Sequence, residues 1–414
     1  MMDNDLVFDW NRSPREGSGE PDLAPFSVEL DDETMRDGLQ SPSVTAPSLE
    51  KRIRFLHMLS DIGVQGVNVG MPAAGPRHAE AVLSLVKEID RANLPLMPNC
   101  AARTLVNDVR KIVDLSQAAG VPIEVATFIG SSPIRQLVEK WDVDFLRRAA
   151  KRAVLEASKA SLPVMFVTED TSRTHPDVLR TLYMTAIEAG ARRICIADTV
   201  GCATPHGARR LVRFMRNLES DAGVSLKVDW HGHMDRGLGI WVALAAHEAG
   251  ADRLHGSFLG LGERVGNTPL DLLLVNLKLM GIVKRDLTRL GSYVSEVADW
   301  MGVPVPFNYP VFGRDAYRTG TGVHAAAMIK ALKIGDEELS ERVYSAASPS
   351  WFGLRQSIGI GPNSGESNIL YWLESNEIEG DPLLVKAIKK RAKDSDRVLD
   401  DEELWEEVRR WEKR

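Results

Sequence analysis

Two histidines separated by a single residue follow a β-like segment and have the types and spacing of metal ligands. The segment LKVDW leads directly into His231 and His233. Side chains two residues apart in a strand point to the same side, so both imidazoles can face one ion. Because neighbouring histidines are also common on surface loops, the site needs a third ligand. The candidates are Asp37, far upstream in DDETMRDGLQ, and Asp235, which follows the histidine pair.

Two neutral imidazoles and one carboxylate form a facial ligand set that leaves open positions on a divalent metal such as Mg, Mn or Zn. Open positions indicate a catalytic rather than a structural metal site. A metal there could bind a 2-oxo acid through its carboxylate and carbonyl oxygens and polarise the carbonyl as a Lewis acid.

Eight β-like segments alternate with amphipathic segments whose apolar residues recur at helical spacing. The β-like segments are FSVELDDE, GVNVGMP, LPLMPNC, PIEVATFIG, PVMFVTED, RRICIADTV, LKVDWHGH and DRLHGSF. Strands that alternate with helices predict a parallel sheet, and eight such units over about 250 residues predict a closed (β/α)₈ TIM barrel of the α/β class. A doubly wound open sheet is the alternative, but no GxGxxG follows the first strand.

The sequence predicts three parts. Residues 1–25 are polar, with clustered Gly, Ser and Pro, and are predicted to be a flexible N-terminal arm. Residues 26–286 form the predicted catalytic barrel. The alternating rhythm then stops, and residues 287–414 are predicted to form small, mainly helical subdomains that act as a lid over the barrel mouth.

In such a barrel the active site lies at the C-terminal ends of the strands, so the polar residues there can be considered together. Arg36 beside Asp37 suits an oxyanion stabiliser next to a metal ligand, although a surface ion pair of little energetic value is the alternative. Glu169 and Arg173 follow strand five, and Thr199 follows strand six.

Two further segments contain candidate residues. The loop GLGERVGN follows strand eight, and its free N–H groups could bind an anion, although a tight turn without a ligand is equally consistent with its glycines. His324 follows three glycines in a loop outside the barrel, where a lid could bring it to the site. His255, within strand eight, is predicted to belong to the core.

Composition excludes several classes of function. The chain has 414 residues with a net charge of −7 and no long basic cluster, so nucleic acid is not an expected partner. Its apolar runs are too short for a bilayer, and its N-terminus lacks the features of a signal peptide. Cys100, Cys195 and Cys202 form no disulfide framework, which predicts a reduced, cytoplasmic compartment.

Six motifs occur in the same order as in the 2-isopropylmalate synthase and homocitrate synthase family of DRE-TIM metallolyases, which the chain resembles. They are DDETMRDGLQ, FVTEDTSRTHPD, DTVGCATP, HGHMDRGLG, GLGERVGN and FGRDAYRTGTGVHAAAMIK, and they extend over nearly the whole chain after its first 25 residues.

The resemblance implies a pyruvate carboxyltransferase-like barrel and a metal-dependent Claisen-type condensation. An acyl-CoA, acetyl-CoA in this family, adds to the ketone of a 2-oxo acid, and thioester hydrolysis gives a 2-hydroxy dicarboxylic acid and CoA. Such an enzyme is an acyltransferase that converts the acyl group into an alkyl group, and a homodimer is expected.

The resemblance also implies roles for individual residues. The metal ligands would be Asp37, His231, His233 and Asn267. Arg36 would steady the carbonyl oxygen, Glu169 and His324 would transfer protons, and Thr199 would bind the substrate carboxylate. Gln40 and Arg173, which lie in two of the matching motifs, complete this part of the substrate-binding set.

The sequence departs from the family pattern at three positions. Met234 replaces the Asn of HxHND, Asn68 stands where the family more often has Glu, and Ala126 stands where a His often precedes Thr-Phe. Asn68 and Ala126 are predicted to line the 2-oxo acid pocket, so the acceptor would differ from the common ones.

Two rival functions remain. The first is an acyl-CoA lyase of the hydroxymethylglutaryl-CoA lyase type, but those lyases are shorter and lack a segment like GTGVHAAAMIK. The second is a non-catalytic relative that acts as a binding protein, which the intact set of motif residues disfavours. Metal retention on purification would separate an active site from a decayed one.

Overall fold

The computed structural model describes residues 27–413, and eight strands in it form a closed barrel. The predicted arm, residues 1–25, lies outside the described residues. The strands are Glu29–Asp32 (β1), Gly66–Asn68 (β2), Met97–Arg103 (β3), Glu124–Gly130 (β4), Val164–Glu169 (β5), Arg193–Asp198 (β6), Lys227–Gly232 (β7) and Arg253–Gly256 (β8).

All neighbouring barrel strands are parallel, and closure comes from the pairing of β1 with both β2 and β8. In the β1–β8 pair, Asp31 lies opposite His255. The predicted (β/α)₈ barrel is thereby confirmed.

Helices connect the strands, as parallel pairing requires. They are Leu49–Asp61 (α1), Pro76–Arg91 (α2), Val106–Ala119 (α3), Pro133–Glu139 (α4), Val143–Lys159 (α5), Pro176–Glu188 (α6), Pro205–Ala222 (α7), Gly239–Glu248 (α8) and Leu270–Leu279 (α9). In α2, proline occupies the first turn, where its missing N–H costs nothing, and Val82, Leu85, Val86 and Ile89 form the buried face. α3 ends at Gly120, whose φ of 70° is a left-handed conformation that glycine adopts without strain.

The lower part of the barrel interior is charged rather than apolar. Arg253 is 1 % exposed and forms ion pairs with Asp229 at 2.7 Å and Glu124 at 2.7 Å. Arg193 reaches the same two carboxylates, at 2.7 Å and 3.1 Å. Asn99 donates a hydrogen bond of 2.8 Å to Asp31 in this layer. We call Asp31, Asn99, Glu124, Arg193, Asp229 and Arg253 the barrel floor.

Ionisation in the barrel floor is set by pairing. Burial alone would raise the pKa of Asp229, but the guanidinium groups of Arg253 and Arg193 outweigh it and hold that pKa below its usual range. For Asp31 burial prevails over Arg253 and raises the pKa to about 6. Each arginine therefore matters mainly because it compensates carboxylates that have left water.

Residues 27–285 and 293–304 form one compact unit, and residues 286–292 and 305–413 form the other. Helix Leu290–Met301 (α10) begins in the second unit and continues in the barrel unit. There Arg54 of α1 pairs with Glu296 of α10 at 2.7 Å.

The second unit is mainly helical. It contains Arg318–Thr319 (β9), Gly322–Lys333 (α11), Glu337–Arg342 (α12), Ser357–Ile358 (β10), Glu366–Ser375 (α13), Pro382–Asp394 (α14) and Asp401–Glu412 (α15). Helices α13, α14 and α15 share an apolar core that includes Leu373, Ile388 and Leu404. The predicted boundary at 286/287 and the lid role stay predictions.

Replacing Arg253 by Met should lower the free energy of unfolding by about 3–5 kcal/mol, because the buried Asp31 loses its nearby guanidinium and Asp229 and Glu124 keep only Arg193. Arg110→Met removes an exposed pair with Glu156 and should cost at most about 1 kcal/mol. Urea unfolding followed by far-UV circular dichroism gives both values. Equal, small losses in the two variants would show that the barrel floor does not depend on this ion pairing.

Candidate active site

A cavity of about 360 Å³ opens at the C-terminal ends of the barrel strands, and most of the predicted site residues line it. Nine of them line it: Arg36, Asp37, Gln40, Asn68, Ala126, Glu169, Thr199, His231 and His233. These residues come from β1, β2, β4, β5, β6 and β7 or the loops that follow them. Barrel closure is what brings such distant segments to one cavity.

Asp37, His231 and His233 offer ligand atoms that all lie within 4.8 Å of one another. Oδ2 of Asp37 is 3.8 Å from Nε2 of His231 and 3.9 Å from Nε2 of His233. These separations are too long for hydrogen bonds but suit donors around one ion, since ligands about 2.1 Å from a metal lie roughly 3–4 Å apart.

An unsatisfied buried atom beside this cluster also fits a metal. Oδ1 of Asn267 is buried without a hydrogen-bond partner. Nδ2 of Asn267 donates to the carbonyl of Leu261 at 2.9 Å, which fixes the amide. Buried polar atoms in native proteins normally have a partner, so the donor set has the chemistry of a cation site.

The loop Gly260–Asn267 positions Asp37. The backbone N–H of Glu263 donates to Oδ1 of Asp37 at 3.1 Å. A Cβ at Gly262 would lie 2.6 Å from the same oxygen and 2.3 Å from Nδ2 of Asn267. Only glycine permits this approach, so Gly262 is needed for the geometry of the metal-type cluster.

Burial keeps both histidines neutral, as metal ligation requires. It lowers the pKa of His231 to about 3, although Glu33 acts in the opposite direction. Burial also lowers the pKa of His233, against the effect of Asp37. Burial alone would raise the pKa of Asp37, but Arg36 and the histidines hold it below its usual value.

Arg36 is fixed by two carboxylates. Its Nε donates to Oε2 of Glu33 at 2.8 Å, and its Nη1 donates to Oδ2 of Asp37 at 2.8 Å. A guanidinium carries five N–H donors, so this arrangement leaves donors for a ligand. The structure thus shows an ordered guanidinium in the cavity wall, rather than the surface ion pair that was the alternative.

Glu169 and Thr199 lie on neighbouring strand ends. Burial raises the pKa of Glu169, while Arg135, 3.2 Å away, acts to lower it. The Thr199 hydroxyl accepts a hydrogen bond from the Asp170 backbone N–H at 2.8 Å. Its own O–H can therefore be donated to a ligand in the cavity.

Three candidate residues are placed differently from the rest. Arg173 does not line the cavity and pairs through two nitrogens with Asp170, at 2.8 Å and 2.6 Å. Asp235 accepts two hydrogen bonds from Arg264 and is not part of the donor cluster, so the interpretation of it as the facial carboxylate was wrong.

His324 lies in the second compact unit, exposed in the first turn of α11, where its ring is 4.1 Å from that of Tyr344. The expectation of a loop position was therefore wrong. Its proposed pairing with Glu169 stays a prediction.

The sequence predicted His255 only as a core residue and did not single out Glu33, and the structure places both at the cavity. His255 hydrogen-bonds with Glu33 at 3.2 Å and with Asp229 at 3.0 Å. Glu33 lines the cavity, and Asp229 belongs to the barrel floor. Burial disfavours the charged form of His255, but these carboxylates and Asp31 raise its pKa to about 9. Strict alternation along β1 and β8 would have pointed Glu33 and His255 inward.

The chain folds as a closed (β/α)₈ barrel, and polar side chains lie together at the C-terminal ends of its strands. Barrel enzymes have their active sites at this position, so the fold and the site define the protein as a barrel enzyme. Residues 27–295 match the family model described as HMGL-like, and the chain belongs to that family. No helix between residues 27 and 413 has both the length and the apolar character needed to cross a membrane.

Curated relatives cover most of the chain. Homocitrate synthase AksA of Methanopyrus kandleri is 32% identical over 92% of this chain and 90% of its own length. A probable 2-isopropylmalate synthase of the same organism is 31% identical over 89% of this chain and 70% of its own. The predicted family and the predicted enzyme class, acyltransferases of this type, are confirmed.

Solved structures share the fold. Hydroxymethylglutaryl-CoA lyase from Pseudomonas aeruginosa is similar with a TM-score of 0.54 and 21% identity, over 67% of this chain and 94% of that one. The carboxyl transferase domain Y628A of Rhizobium etli pyruvate carboxylase has a TM-score of 0.52 at 16% identity, over 90% and 68%. At such low identity these similarities show the barrel architecture alone.

Asp37→Asn and His233→Ala should each weaken binding of Mn²⁺ at least 100-fold, because the first replaces a charged carboxylate by a neutral amide and the second removes an imidazole donor. Asp235→Asn, the matched control at a carboxylate that pairs with Arg264, should bind the metal normally. Isothermal titration calorimetry on metal-stripped protein measures this. Weakened binding in Asp235→Asn with normal binding in Asp37→Asn would assign the ligand to the wrong carboxylate.

Proposed function

We propose that this protein condenses an acyl-CoA, with acetyl-CoA as the expected donor, with a 2-oxo acid to give a 2-hydroxy dicarboxylic acid and CoA. The observation that carries the proposal is the joint placement of a metal-type donor cluster with Arg36, Glu169 and Thr199 in one cavity. The homocitrate and 2-isopropylmalate synthases among its relatives support the same reaction class.

The metal proposal names Asp37, His231, His233 and Asn267 as ligands of a divalent ion, Mg, Mn or Zn. When bound, such an ion supplies Lewis-acid polarisation of the 2-oxo acid carbonyl. The oxygen and nitrogen donors of this set are compatible with each of the three metals.

Arg36 and Thr199 orient the acceptor in this proposal. The Arg36 guanidinium, held by Glu33 and Asp37, directs its remaining N–H donors at the carbonyl oxygen as negative charge develops there. Thr199 donates its hydroxyl proton to the substrate carboxylate, since its oxygen is already engaged by a backbone N–H. Gln40 and Asn68 contribute polar groups to the same cavity.

Glu169 moves a proton in this proposal. A pKa raised by burial makes its carboxylate a stronger base, suited to accept a proton from the acyl methyl group. The motif resemblance also assigns His324 a part in this proton transfer. The substrate role of Arg173 would be indirect, through its pair with Asp170 behind Thr199.

We further propose that the protein acts as a homodimer in the cytoplasm. The motif resemblance supports the dimer, and the absence of a disulfide framework among Cys100, Cys195 and Cys202 supports the compartment. Sedimentation at several protein concentrations would determine the number of subunits.

Free thiol should be released from acetyl-CoA only when both a divalent metal and a 2-oxo acid are present. A thiol reagent measures this across a panel of acceptors with Mg, Mn or Zn added. Glu169→Gln should reduce the rate at least 100-fold without changing metal affinity, because the base is lost. Thiol release that needs no acceptor would indicate a hydrolase instead.

His324→Ala should retain metal and lose at least tenfold in kcat, because it removes a proton-transfer group and no metal ligand. His78→Ala, which removes an exposed histidine on α2, is the control and should keep full activity. Steady-state kinetics with the best acceptor measures both variants. Unchanged kcat in His324→Ala would remove this residue from the mechanism.

A further inference from the structure

The cavity has two chemically different halves. The polar half follows β7, β8 and β1, which are adjacent, and contains the histidines, Arg36 and Asp37. The other half is formed by β3 to β6, which are also adjacent. Its lining side chains are Ala101, Ala126, Phe128, Met165, Val167 and Cys195, followed by Ala197.

Strand register makes the apolar half continuous. Ala101 lies opposite Ala126, and Ala126 lies opposite Met165. Val167 lies opposite both Phe128 and Cys195. Ala126, Met165 and Cys195 form one buried cluster with Val167 packed against it. Among the residues of β3 to β6 that line the cavity, Glu169 alone is charged, and it comes two residues after Val167 at the end of β5.

The basic side chains that line the cavity already have partners. Arg36 binds Glu33 and Asp37, and His255 hydrogen-bonds with Glu33. Arg264 binds the carboxylate of Asp235 at 2.9 Å and the backbone carbonyl of Thr199 at 2.5 Å. A second carboxylate on a substrate would therefore share these arginines with the carboxylate or carbonyl groups that they already bind.

The acidic side chains make such a carboxylate still less favourable. Glu33, Asp37, Glu169 and Glu263 line the same cavity, against the basic side chains of Arg36, Arg264 and three histidines. A distal carboxylate on the acceptor would leave water for an apolar wall near these acidic groups, which carries a desolvation cost.

We infer that the acceptor is a monocarboxylic 2-oxo acid with an aliphatic side chain, which packs against the wall formed by β3 to β6. This inference rests on the proposed function and specifies its substrate class. The 2-oxo carboxylate group lies at the polar half, and the side chain fills the space left by the small residues Ala101 and Ala126.

Binding of the acceptor alone tests this inference without turnover. Calorimetry on the Mg²⁺-loaded protein should show 2-oxoisovalerate binding at least tenfold more tightly than 2-oxoglutarate. Equal affinity, tighter binding of 2-oxoglutarate, or no binding of 2-oxoisovalerate would overturn the inference.

Turnover separates the two proposals. If 2-oxoisovalerate binds preferentially but acetyl-CoA releases no thiol with any acceptor, the condensation fails and the acceptor class stands. If thiol release is fastest with 2-oxoglutarate, the condensation stands and the acceptor class fails.

A substitution locates the preference in the wall. Ala126→Val fills space beside Met165, so the ratio of the Kd for 2-oxoisovalerate to that for pyruvate should rise about tenfold. Ala118→Val on the exposed surface of α3 is the matched control and should leave the ratio unchanged. An unchanged ratio in Ala126→Val would show that the side chain does not contact this wall.

Discussion

The hydrogen-bonded pairing of β1 with β8 closes the barrel, and the functional cavity depends on it. β1 and the loop after it supply Glu33, Arg36 and Asp37, whereas β7 supplies both histidines. In an open sheet β1 would not neighbour β8, and the donors would have no common centre. The ladder that aligns Asp31 with His255 also sets the depth at which Asp37 meets the imidazoles.

Beneath the cavity, the barrel floor imposes a second constraint. Arg193 and Arg253 share Asp229 and Glu124, so removing either arginine leaves these two buried carboxylates with one arginine between them. An apolar floor could be equally stable, because desolvating ions offsets much of their attraction. The charged layer also supports His255, which contacts Asp229 below and Glu33 above, and so connects the floor to Arg36.

The two halves of the cavity are suited to different parts of a substrate. Among the residues that line the cavity, charged groups lie on β1, β7 and β8, at the upper strand ends and in the loop after β8. Alanines and larger apolar residues face inward from β3 to β6. A small substrate bound between the halves would be oriented by this division, since its polar end and its side chain have only one favourable arrangement.

The sequence by itself determined the barrel and most of the cavity. Its eight alternating units predicted the fold because strand and helix periods are local properties. Its polar strand-end residues came together because parallel strands all end on one face. Nine of the predicted site residues line the cavity for this reason.

Only the tertiary structure determined which partner each charged side chain pairs with. Arg173 pairs with Asp170, Asp235 pairs with Arg264, and His255 with Glu33 joins the site to the floor. Such pairings follow from side-chain reach across strands and loops, which local patterns do not encode. The close approach of Gly262 to Asp37 is also a contact between residues far apart in the sequence. It forms only once the barrel has closed, because β1 and the loop after β8 meet only then.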